Sequence, residues 1–488
     1  MHLALSRKNL WERTPPFLKN ILGQATAVIP MSHLLGARFR AHLAFAREAQ
    51  WWSAERAREY QLTRVREICL LAYEKTDYYR ETFRQAGFAP GDLKSLEDLS
   101  SLPTIDKETI RTHMSSMCAV PDGSSGVDYV ATGGSSGEPL RFLAGSGRSA
   151  VEFAYLIASW ERVGYRLGLP LAVFRGQVVR PRRNGLRHEY DPLLRRHYYS
   201  NFHRSAQDMR RYLEHIATLG PCYLLAYPSS VYTLARFLEE AKIPAPPNIR
   251  GILAGSENIY PNDRMNAEST FGVRFFSWYG HSEKLVLAAE CERSADYHVW
   301  PTYGYFELLD RDGKTVTTPG ERGEIVGTGF INTVMPFIRY RTGDYAVFSG
   351  QACKACGREQ TLLSRIDGRW PQGDLTAKDG SPISMTAFNA HDDTFEATHG
   401  YQFFQSEPGR AVLRVIPARA LTHQDREFIV SRVNARLQGQ VYVTLEVCSK
   451  LQLTPTGKQL RVVRAAPSSL PGSLDPRGDH SDDVSLSS

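Results

Sequence analysis

The feature that most constrains the fold is an alternation of short apolar segments with amphipathic ones, which begins near Val127. The segments "IRGILAGSE", "FFSWYG" and "YFELLD" are short, apolar and bounded by turn residues, so we predict that they form strands. Residues 212–219 and 229–241 repeat apolar side chains at three- and four-residue steps, which predicts helices. Strands that alternate with helices predict an α/β architecture.

A second change of pattern comes near residues 368–373. The turn-rich "DGRWPQGD" is followed by two strand-like segments, the helical "HQDREFIVSRVNARL" and the strand-like "VYVTLEV", which together predict a small α+β domain with its own core. The predicted organisation is an N-terminal helical arm (1–53), a large α/β domain (54–367), the small C-terminal domain (368–464) and a tail (465–488). The tail is rich in Ser, Pro and Asp and lacks a core pattern, which predicts disorder.

Composition narrows the class of protein. A chain of 488 residues that is 42% hydrophobic can bury a sizeable core, and a formal charge of +7 without a recognition motif does not indicate nucleic-acid binding. Neither a membrane-spanning run nor the apolar centre of a secretory signal is evident, so we expect a soluble, cytoplasmic protein. For the amphipathic stretch 17–45, packing on the body is favoured over contact with a membrane surface.

A glycine- and serine-rich loop, "TGGSSGEP", precedes a helix-like segment. Backbone N–H groups in such a turn can bind phosphate, and the hydroxyls of Thr132, Ser135 and Ser136 add donors. The Walker pattern is absent, so the loop is not an ordinary nucleotide-binding P-loop. Taken alone, it is equally consistent with a solvent-exposed turn.

Five further segments follow in order: "AGSENIYP", "WYGHSE", "YRTGDYAVF", "SRIDGR" and "LTPTGKQLR". Together with the glycine loop, this set resembles the signatures of the adenylate-forming enzymes, which include the acyl-CoA and aryl-CoA ligases. Within that superfamily, residues 54–464 most resemble the phenylacetate–CoA ligase-like group, especially its capsule-biosynthesis (CapK-type) branch. The resemblance implies a large AMP-binding domain, a small C-terminal lid domain and a possible homodimer.

The resemblance also implies roles for individual residues in a reaction that needs ATP and Mg²⁺. Glu283 would bind Mg²⁺, which prefers carboxylate and phosphate oxygens, and Asp344 would accept hydrogen bonds from the ribose hydroxyls. Tyr279 would border the adenine, and Arg369 would contact the ribose and phosphate. The remaining nucleotide-binding candidates are Thr132, Gly133, Gly134, Ser135, Ser136, Gly137, Ser256, Glu257, Gly280, His281 and Ser282.

Lys458, in "PTGKQLR", resembles the catalytic lysine that the lid carries in this superfamily. From a closing domain, it would reach the substrate carboxylate and the α-phosphate while water is excluded. The family hinge normally has a carboxylate or lysine after Gly-Arg, whereas Trp370, Pro371 and Gln372 stand here. Proline restricts rotation, so the lid movement is in question, and Gly373 or Asp374 is an alternative hinge.

The acid pocket, by the same resemblance, includes Tyr227, Ser256 and His281, and we interpret His203 as a structural residue. The acceptor is expected to be coenzyme A. An amine acceptor in polysaccharide or secondary-metabolite assembly remains an alternative, as does a non-catalytic nucleotide-binding scaffold.

Four residues suggest a structural zinc site. Cys353 and Cys356 form a C-x-x-C turn, and Cys291 and His298 lie upstream. Three cysteines and one histidine are an acceptable tetrahedral ligand set, and with four protein ligands the metal would brace the fold without catalysing. The alternative is four residues with no common ligand.

Overall fold

A computed structural model of the chain describes residues 29–121, 123–131, 140–177, 179–182, 184–368, 374–383, 393–452 and 461–464. The α-helices are α1 (Met31–Leu34), α2 (Gly36–Ala49), α3 (Ala54–Lys75), α4 (Asp77–Gln85), α5 (Lys107–His113), α6 (Arg148–Trp160), α7 (Ala206–Ala217), α8 (Pro228–Ala241), α9 (Pro261–Phe271) and α10 (His423–Leu437). Single 3₁₀ turns lie at Pro90–Asp92, Glu97–Ser101, Glu161–Val163 and Asp393–Phe395.

The strands are β1 (Val127–Ala131), β2 (Arg141–Gly145), β3 (Leu171–Phe174), β4 (His188–Asp191), β5 (Arg196–Tyr199), β6 (Cys222–Ala226), β7 (Ile249–Gly255), β8 (Phe275–Gly280), β9 (Leu287–Ala289), β10 (Tyr297–Val299), β11 (Gly304–Leu309), β12 (Arg322–Gly329), β13 (Tyr340–Gly350), β14 (Leu362–Asp367), β15 (Leu375–Thr376), β16 (Pro382–Ile383), β17 (Thr398–Glu407), β18 (Arg410–Pro417), β19 (Tyr442–Val447) and β20 (Val462–Arg464).

One large sheet contains twelve of these strands in the order β11-β12-β13-β14-β10-β9-β8-β7-β6-β3-β5-β4. The strands β5, β3, β6, β7 and β8 are parallel neighbours, whereas the strands from β9 to β14 pair in an antiparallel manner. The chain enters this parallel part at β3, adds β4 and β5 on one side, and then crosses to β6 on the other. The strand order therefore reverses at β3, and such reversal points are where open α/β sheets bind ligands.

Both faces of the parallel part are buried, and side chains of β3 alternate between them. Ala172 and Phe174 belong to an apolar cluster with side chains of α7, α8 and α9. Leu171 and Val173 belong to another cluster, on the opposite face, with side chains of α2 and α6. Burial on both sides explains why the sequence shows continuous apolar runs here. Helix α2, in the predicted arm, thus packs against the body.

The C-terminal part forms a separate four-stranded sheet, β19-β18-β17-β20, covered by α10. Helix α10 begins at a capping box between Thr422 and Asp425. The apolar cluster of this sheet also includes Phe202 and Tyr227, which follow β5 and β6 of the large sheet. The small sheet is therefore seated where the acid pocket is expected.

The predicted α/β class with a smaller C-terminal α+β part is confirmed. Within the part of the chain that the structure describes, no helix combines the length and apolarity that crossing a membrane requires. The domain limits at 53 and 367, the start of the arm (1–28) and the tail (465–488) stay predictions, and the last two lie outside the described residues.

Candidate active site

The carboxyl ends of four parallel strands converge on one edge of the large sheet. Arg175 follows β3, Tyr227 follows β6, Ser256 follows β7, and Tyr279 lies at the end of β8. Because the strand order reverses at β3, this edge is the crevice in which such a sheet would bind a ligand. Residues that are far apart in the sequence therefore lie together at this edge of the sheet.

Arg175 connects three of these strand ends. Its guanidinium donates to Oγ of Ser256 at 2.6 Å. It also lies 5.0 Å from the ring centre of Tyr227 and 5.3 Å from that of Trp278. Arginine stacks favourably on aromatic faces, so a positive charge is fixed at the mouth of the crevice.

The turn after β7 has a shape that its residues enforce. A Cβ atom at Gly255 would lie 2.8 Å from the ring of Trp278, so only glycine allows this tryptophan to pack there. The next residue, Ser256, is exposed and has φ of 71°, in the left-handed region. This sparsely populated conformation turns the chain sharply at the strand end.

Glu257 and Asn258, the next two residues of this turn, form hydrogen bonds to two other parts of the fold. The Glu257 carboxylate accepts hydrogen bonds from the backbone N–H (2.8 Å) and the hydroxyl (3.1 Å) of Ser229, in the first turn of α8. A carboxylate is favoured at a helix N-terminus. Oδ1 of Asn258 accepts from the backbone N–H of Gly368 at 3.0 Å, which ties the turn to the boundary of the small domain.

Glu283 is 4% exposed, and two side chains among the described residues orient it. The hydroxyl of Tyr340 donates to its Oε1 at 3.0 Å, and His281 Nδ1 lies 3.1 Å from its Oε2. The backbone N–H of Val286 donates to Nε2 of His281 at 3.1 Å, so this nitrogen carries the lone pair. The proton of the neutral imidazole is therefore on Nδ1, from which it is donated to Glu283.

Asp344 lies on β13, in the antiparallel part of the sheet, and is 7% exposed. Tyr279, from the parallel part, donates its hydroxyl proton to Oδ2 of Asp344 at 2.9 Å. The backbone N–H of Asp344 donates to Thr342, whose hydroxyl in turn donates to the carbonyl of Ile325. Tyr279–Asp344 and Tyr340–Glu283 thus form two cross-connections between the halves of the sheet.

Several predicted site residues fall outside the described residues: Thr132, Gly133, Gly134, Ser135, Ser136, Gly137, Arg369 and Lys458. The same is true of Trp370, Pro371, Gln372 and Gly373 at the expected hinge. Gly280 and Ser282 are described and flank His281 at the end of β8.

Asp374 is the one hinge candidate that the structure describes. Burial, and then the neighbouring Glu257, raise the pKa of its carboxyl. Two carboxylates that repel each other therefore lie near the junction with the small sheet.

His203 has structural partners. Its Nδ1 lies 2.9 Å from the hydroxyl of Ser200, and its backbone carbonyl accepts from Tyr212 at 3.2 Å. Burial, and then Arg187, lower the pKa of His203 to about 4. The imidazole is therefore neutral near pH 7, in keeping with the structural interpretation.

The cysteine and histidine residues singled out in the sequence meet at one place. The ligand atoms of Cys291, His298, Cys353 and Cys356 all lie within 4.8 Å of one another. The distance from Sγ of Cys356 to Nε2 of His298 is 3.4 Å. A tetrahedral zinc ion would separate such a sulfur and nitrogen by about 3.6 Å, given its bond lengths.

The surroundings of this cysteine–histidine cluster fit a metal. Nδ1 of His298 lies 2.9 Å from the backbone carbonyl of Asp296, an arrangement that directs Nε2 at the cysteines. The backbone N–H groups of Arg293 and Ser294 point at Sγ of Cys291, at 3.4 and 3.2 Å. Burial, and then Arg358, lower the pKa of the Arg162 guanidinium to about 9, and negative charge on Cys291 and Cys356 would act in the opposite direction. Nε and Nη2 of Arg162 have no hydrogen-bond partner among the described residues.

Comparisons with known proteins agree with the geometry, although no family model matches the chain. The sequence is 28% identical over 324 residues to a phenylacetate-coenzyme A ligase of Pseudomonas putida, which covers 65% of this chain and 71% of that protein. It is 21% identical over 313 residues to Protein CapK of Staphylococcus aureus, which covers 64% of this chain and 67% of that protein.

The fold is similar to that of 2-hydroxyisobutyryl-CoA ligase in complex with 2-HIB-AMP and CoA in the thioesterification state. The TM-score is 0.55 at 21% identity, and the match covers 85% of this chain and 93% of that chain. The chain is related to the phenylacetate–coenzyme A ligases, and its fold is that of the adenylate-forming ligases. The resemblance inferred from the ordered motifs is confirmed.

Two residues of the candidate site are not identified by the sequence motifs. Arg175, in "VFRGQ", has no spacing signal, but its place directly after the strand at which the sheet order reverses would have indicated it. Tyr340 lies within the recognised "YRTGDYAVF" segment, yet its contact with Glu283 depends on how two distant strands approach each other.

Proposed function

We propose that this protein is an ATP-dependent ligase that activates a carboxylic acid as an acyl-adenylate and transfers the acyl group to the thiol of coenzyme A. The observation that carries the proposal is the pair of hydrogen bonds, Tyr340 to Glu283 and Tyr279 to Asp344, that join β8 and the segment after it to β13, at the sheet edge where Arg175 contacts Ser256. The relatives named phenylacetate-coenzyme A ligase support this reaction class.

In the first half-reaction, a carboxylate oxygen of the acid attacks the α-phosphorus of ATP and pyrophosphate leaves. We propose that Glu283 holds Mg²⁺, which neutralises charge on the phosphate oxygens. His281 and Tyr340 keep the two oxygens of Glu283 in fixed directions. A carboxylate that is already oriented needs little rearrangement when charge develops.

Asp344 is proposed to accept hydrogen bonds from the ribose hydroxyls, and Tyr279 to border the adenine while its hydroxyl fixes Asp344. The loop Thr132–Gly137, Arg369 and Lys458 keep the phosphate-binding, ribose-contacting and catalytic roles that the sequence predicts. Ser256, Glu257, Gly280 and Ser282 complete the predicted nucleotide surface.

Tyr227 and Ser256 are proposed to line the acid pocket, with Arg175 between them. We assign His281 a positioning role, because both of its ring nitrogens are engaged.

Arg175 would attract the negatively charged acid, as an arginine matches a carboxylate in charge and shape. Arg175→Gln should raise the KM for the acid at least about tenfold, which corresponds to the loss of one charge-assisted hydrogen bond. An unchanged KM for every acid would remove Arg175 from the pocket.

The decisive experiment measures incorporation of labelled pyrophosphate into ATP in the presence of a panel of aryl, fatty and amino acids. Acid-dependent exchange is expected, because adenylation is reversible. Glu283→Gln protein, prepared in parallel, controls for contaminating enzymes. Absence of exchange across a broad panel would overturn the ligase proposal in favour of a nucleotide-binding scaffold.

The acceptor is tested with the acid that supports exchange. Formation of a CoA thioester is expected after coenzyme A is added. The similarity to Protein CapK keeps an amine acceptor as the second candidate. Consumption of the adenylate by an amine, without a thioester product, would select that candidate.

Homodimerisation stays a prediction, which light scattering after size-exclusion chromatography would test.

We also propose that Cys291, His298, Cys353 and Cys356 hold a structural Zn²⁺. Three thiolates, one imidazole and a dication carry a net negative charge, which Arg162 would partly balance. Elemental analysis of protein purified under reducing conditions should find zinc that Cys353→Ser protein has lost and that Cys448→Ser protein keeps. Equal zinc contents in the two variants would refute the assignment.

A further inference from the structure

A second group of metal-ligating side chains lies at the edge of the large sheet, away from the cysteine residues. Ring nitrogens of His188, His197 and His215 all lie within 4.8 Å of one another. Nε2 of His188 is 3.1 Å from Nδ1 of His197. At zinc–nitrogen bond lengths, two imidazole nitrogens on one tetrahedral ion are separated by about 3.3 Å.

The β4–β5 hairpin brings two of these residues together by its register. His188 is paired with Tyr199, and Tyr190 is paired with His197. Side chains two residues apart on a strand point to the same face, so His188 and His197 are diagonal neighbours on one face of the hairpin. His215, in the last turn of α7, closes the group, with its ring centre 4.2 Å from that of His188.

The surroundings resemble those of a metal site. The hydroxyl of Tyr199 lies 2.7 Å from Nδ1 of His215. When that nitrogen carries the proton, Nε2 is left as the ligand atom, and such a second partner is usual for a metal-bound histidine. His188 is 5% exposed, so its imidazole lies within the cluster and not in solvent.

We propose that His188, His197 and His215 form a binding site for a divalent cation of the zinc class. Imidazole nitrogen suits zinc and its neighbours in the first transition row, and three protein ligands leave a fourth position for water. The cation would join the edge hairpin to α7. The chain between them includes Phe202, which packs into the cluster of the small sheet.

One charged neighbour opposes the cation. Nε of Arg182 donates to the backbone carbonyl of His188 at 3.1 Å, which places a positive charge beside the three rings. Arg182→Gln is therefore expected to tighten metal binding severalfold, because it removes a like charge. A simple hydrogen bond between His188 and His197 is the alternative interpretation, and metal binding would then be absent.

The test uses Co²⁺ in place of zinc on the full-length chain, because cobalt reports its ligands. The cysteine–histidine cluster should give a thiolate-to-cobalt charge-transfer band, whereas the three-histidine site should give only weaker ligand-field bands. Wild-type protein should bind one equivalent more than His215→Gln protein, and both should keep the thiolate band. Glutamine can hydrogen-bond Tyr199 but does not replace the imidazole ligand.

His423→Gln is the matched control, because His423 is an exposed histidine on α10 and its loss should leave the metal content unchanged. Equal binding by wild-type and His215→Gln protein would overturn the proposal. If His215→Gln fails to fold, X-ray absorption of zinc-loaded wild-type protein decides. Spectra that require nitrogen-only coordination for part of the zinc would support the site, and spectra fitted by one sulfur-rich site would overturn it.

Discussion

Glu283 and Asp344, in the candidate site, can be compared with Glu290 and Glu307, which are equally buried in the same large sheet. Glu290 receives two hydrogen bonds from the guanidinium of Arg264, at 2.7 and 3.0 Å. Glu307 receives two from Arg339, at 3.2 and 3.0 Å. Glu283 and Asp344 instead accept from the neutral hydroxyls of Tyr340 and Tyr279.

The difference lies in what the partner does to the carboxylate. A bidentate arginine matches both oxygens and supplies an opposite charge, which suits a group that only supports the fold. A tyrosine hydroxyl fixes the direction of one oxygen without adding a charge. Among the described contacts, tyrosine hydroxyls orient both carboxylates of the candidate site, which suits the cation- and ribose-binding roles proposed for them.

The largest expected effect tests this distinction directly. Glu283→Gln keeps the size of the side chain but removes its charge, so Mg²⁺-dependent pyrophosphate exchange should fall by about two to three orders of magnitude, as for other losses of electrostatic stabilisation. The free energy of unfolding should change little in comparison. Exchange within threefold of wild type would refute the assigned role of Glu283.

The same substitution at a structural carboxylate should lower the free energy of unfolding and leave the catalytic rate of the folded protein unchanged. Glu307→Gln leaves the buried guanidinium of Arg339 without its counter-charge, and breaking a buried pair destabilises by about 3–5 kcal/mol. Urea denaturation monitored by fluorescence should show the loss. The kcat/KM of the folded fraction should stay near the wild-type value, and a selective fall in kcat/KM with normal stability would break the comparison.

A smaller effect is expected when only the orienting donor is removed. Tyr340→Phe deletes the hydroxyl that donates to Glu283, and one hydrogen bond to a charged group contributes about 1.5–3 kcal/mol. The KM for Mg·ATP should rise by about tenfold or more, with exchange recovering at high Mg²⁺. Tyr345→Phe is a matched control on the same strand β13. Equal kinetics for the two variants would show that Tyr340 does not orient Glu283.

The smallest effect concerns Asp374, whose carboxyl lies beside Glu257 at the junction with the small sheet. A pKa raised above that of the unfolded chain means that the folded state favours the protonated form, so this group's contribution to stability declines as pH rises above about 4. Asp374→Asn should remove that decline. The unfolding midpoint of the variant should increasingly exceed that of the wild type as pH rises above about 4.

Asp312→Asn, in an exposed turn, is the control for this pH series. It should follow the wild-type curve throughout. Parallel curves for wild type and Asp374→Asn would contradict the prediction, because they would mean that the charges of Arg204 and Arg464 cancel the effects of burial and of Glu257 on this carboxyl.

The sequence predicted the fold well where local pattern decides it. The helix 229–241 begins one residue earlier, at Pro228, and the helix predicted from Tyr212 begins at Ala206 because Ser205 caps it through the N–H of Asp208. That Ser-x-x-Asp signal was present in the sequence and was overlooked.

Contacts between distant strands were beyond local pattern. The pairing of Tyr279 with Asp344 spans 65 residues, and that of Arg175 with Ser256 spans 81. Both depend on the lateral order of the strands, which periodicity along one strand does not encode. The three histidines were missed for a different reason: the register of the β4–β5 hairpin brings the first two together and α7 adds the third, and apolar periodicity encodes neither contact.

Tyr227 is at once a wall of the proposed acid pocket and a member of the apolar cluster that seats the small sheet. A smaller side chain at this position, chosen to admit a bulkier acid, would therefore also remove apolar contacts between Tyr227 and the small sheet. On the proposed function, Tyr227 would link the choice of acid to the packing of the small sheet, so redesign of the pocket calls for a compensating change on the small-sheet side of the contact.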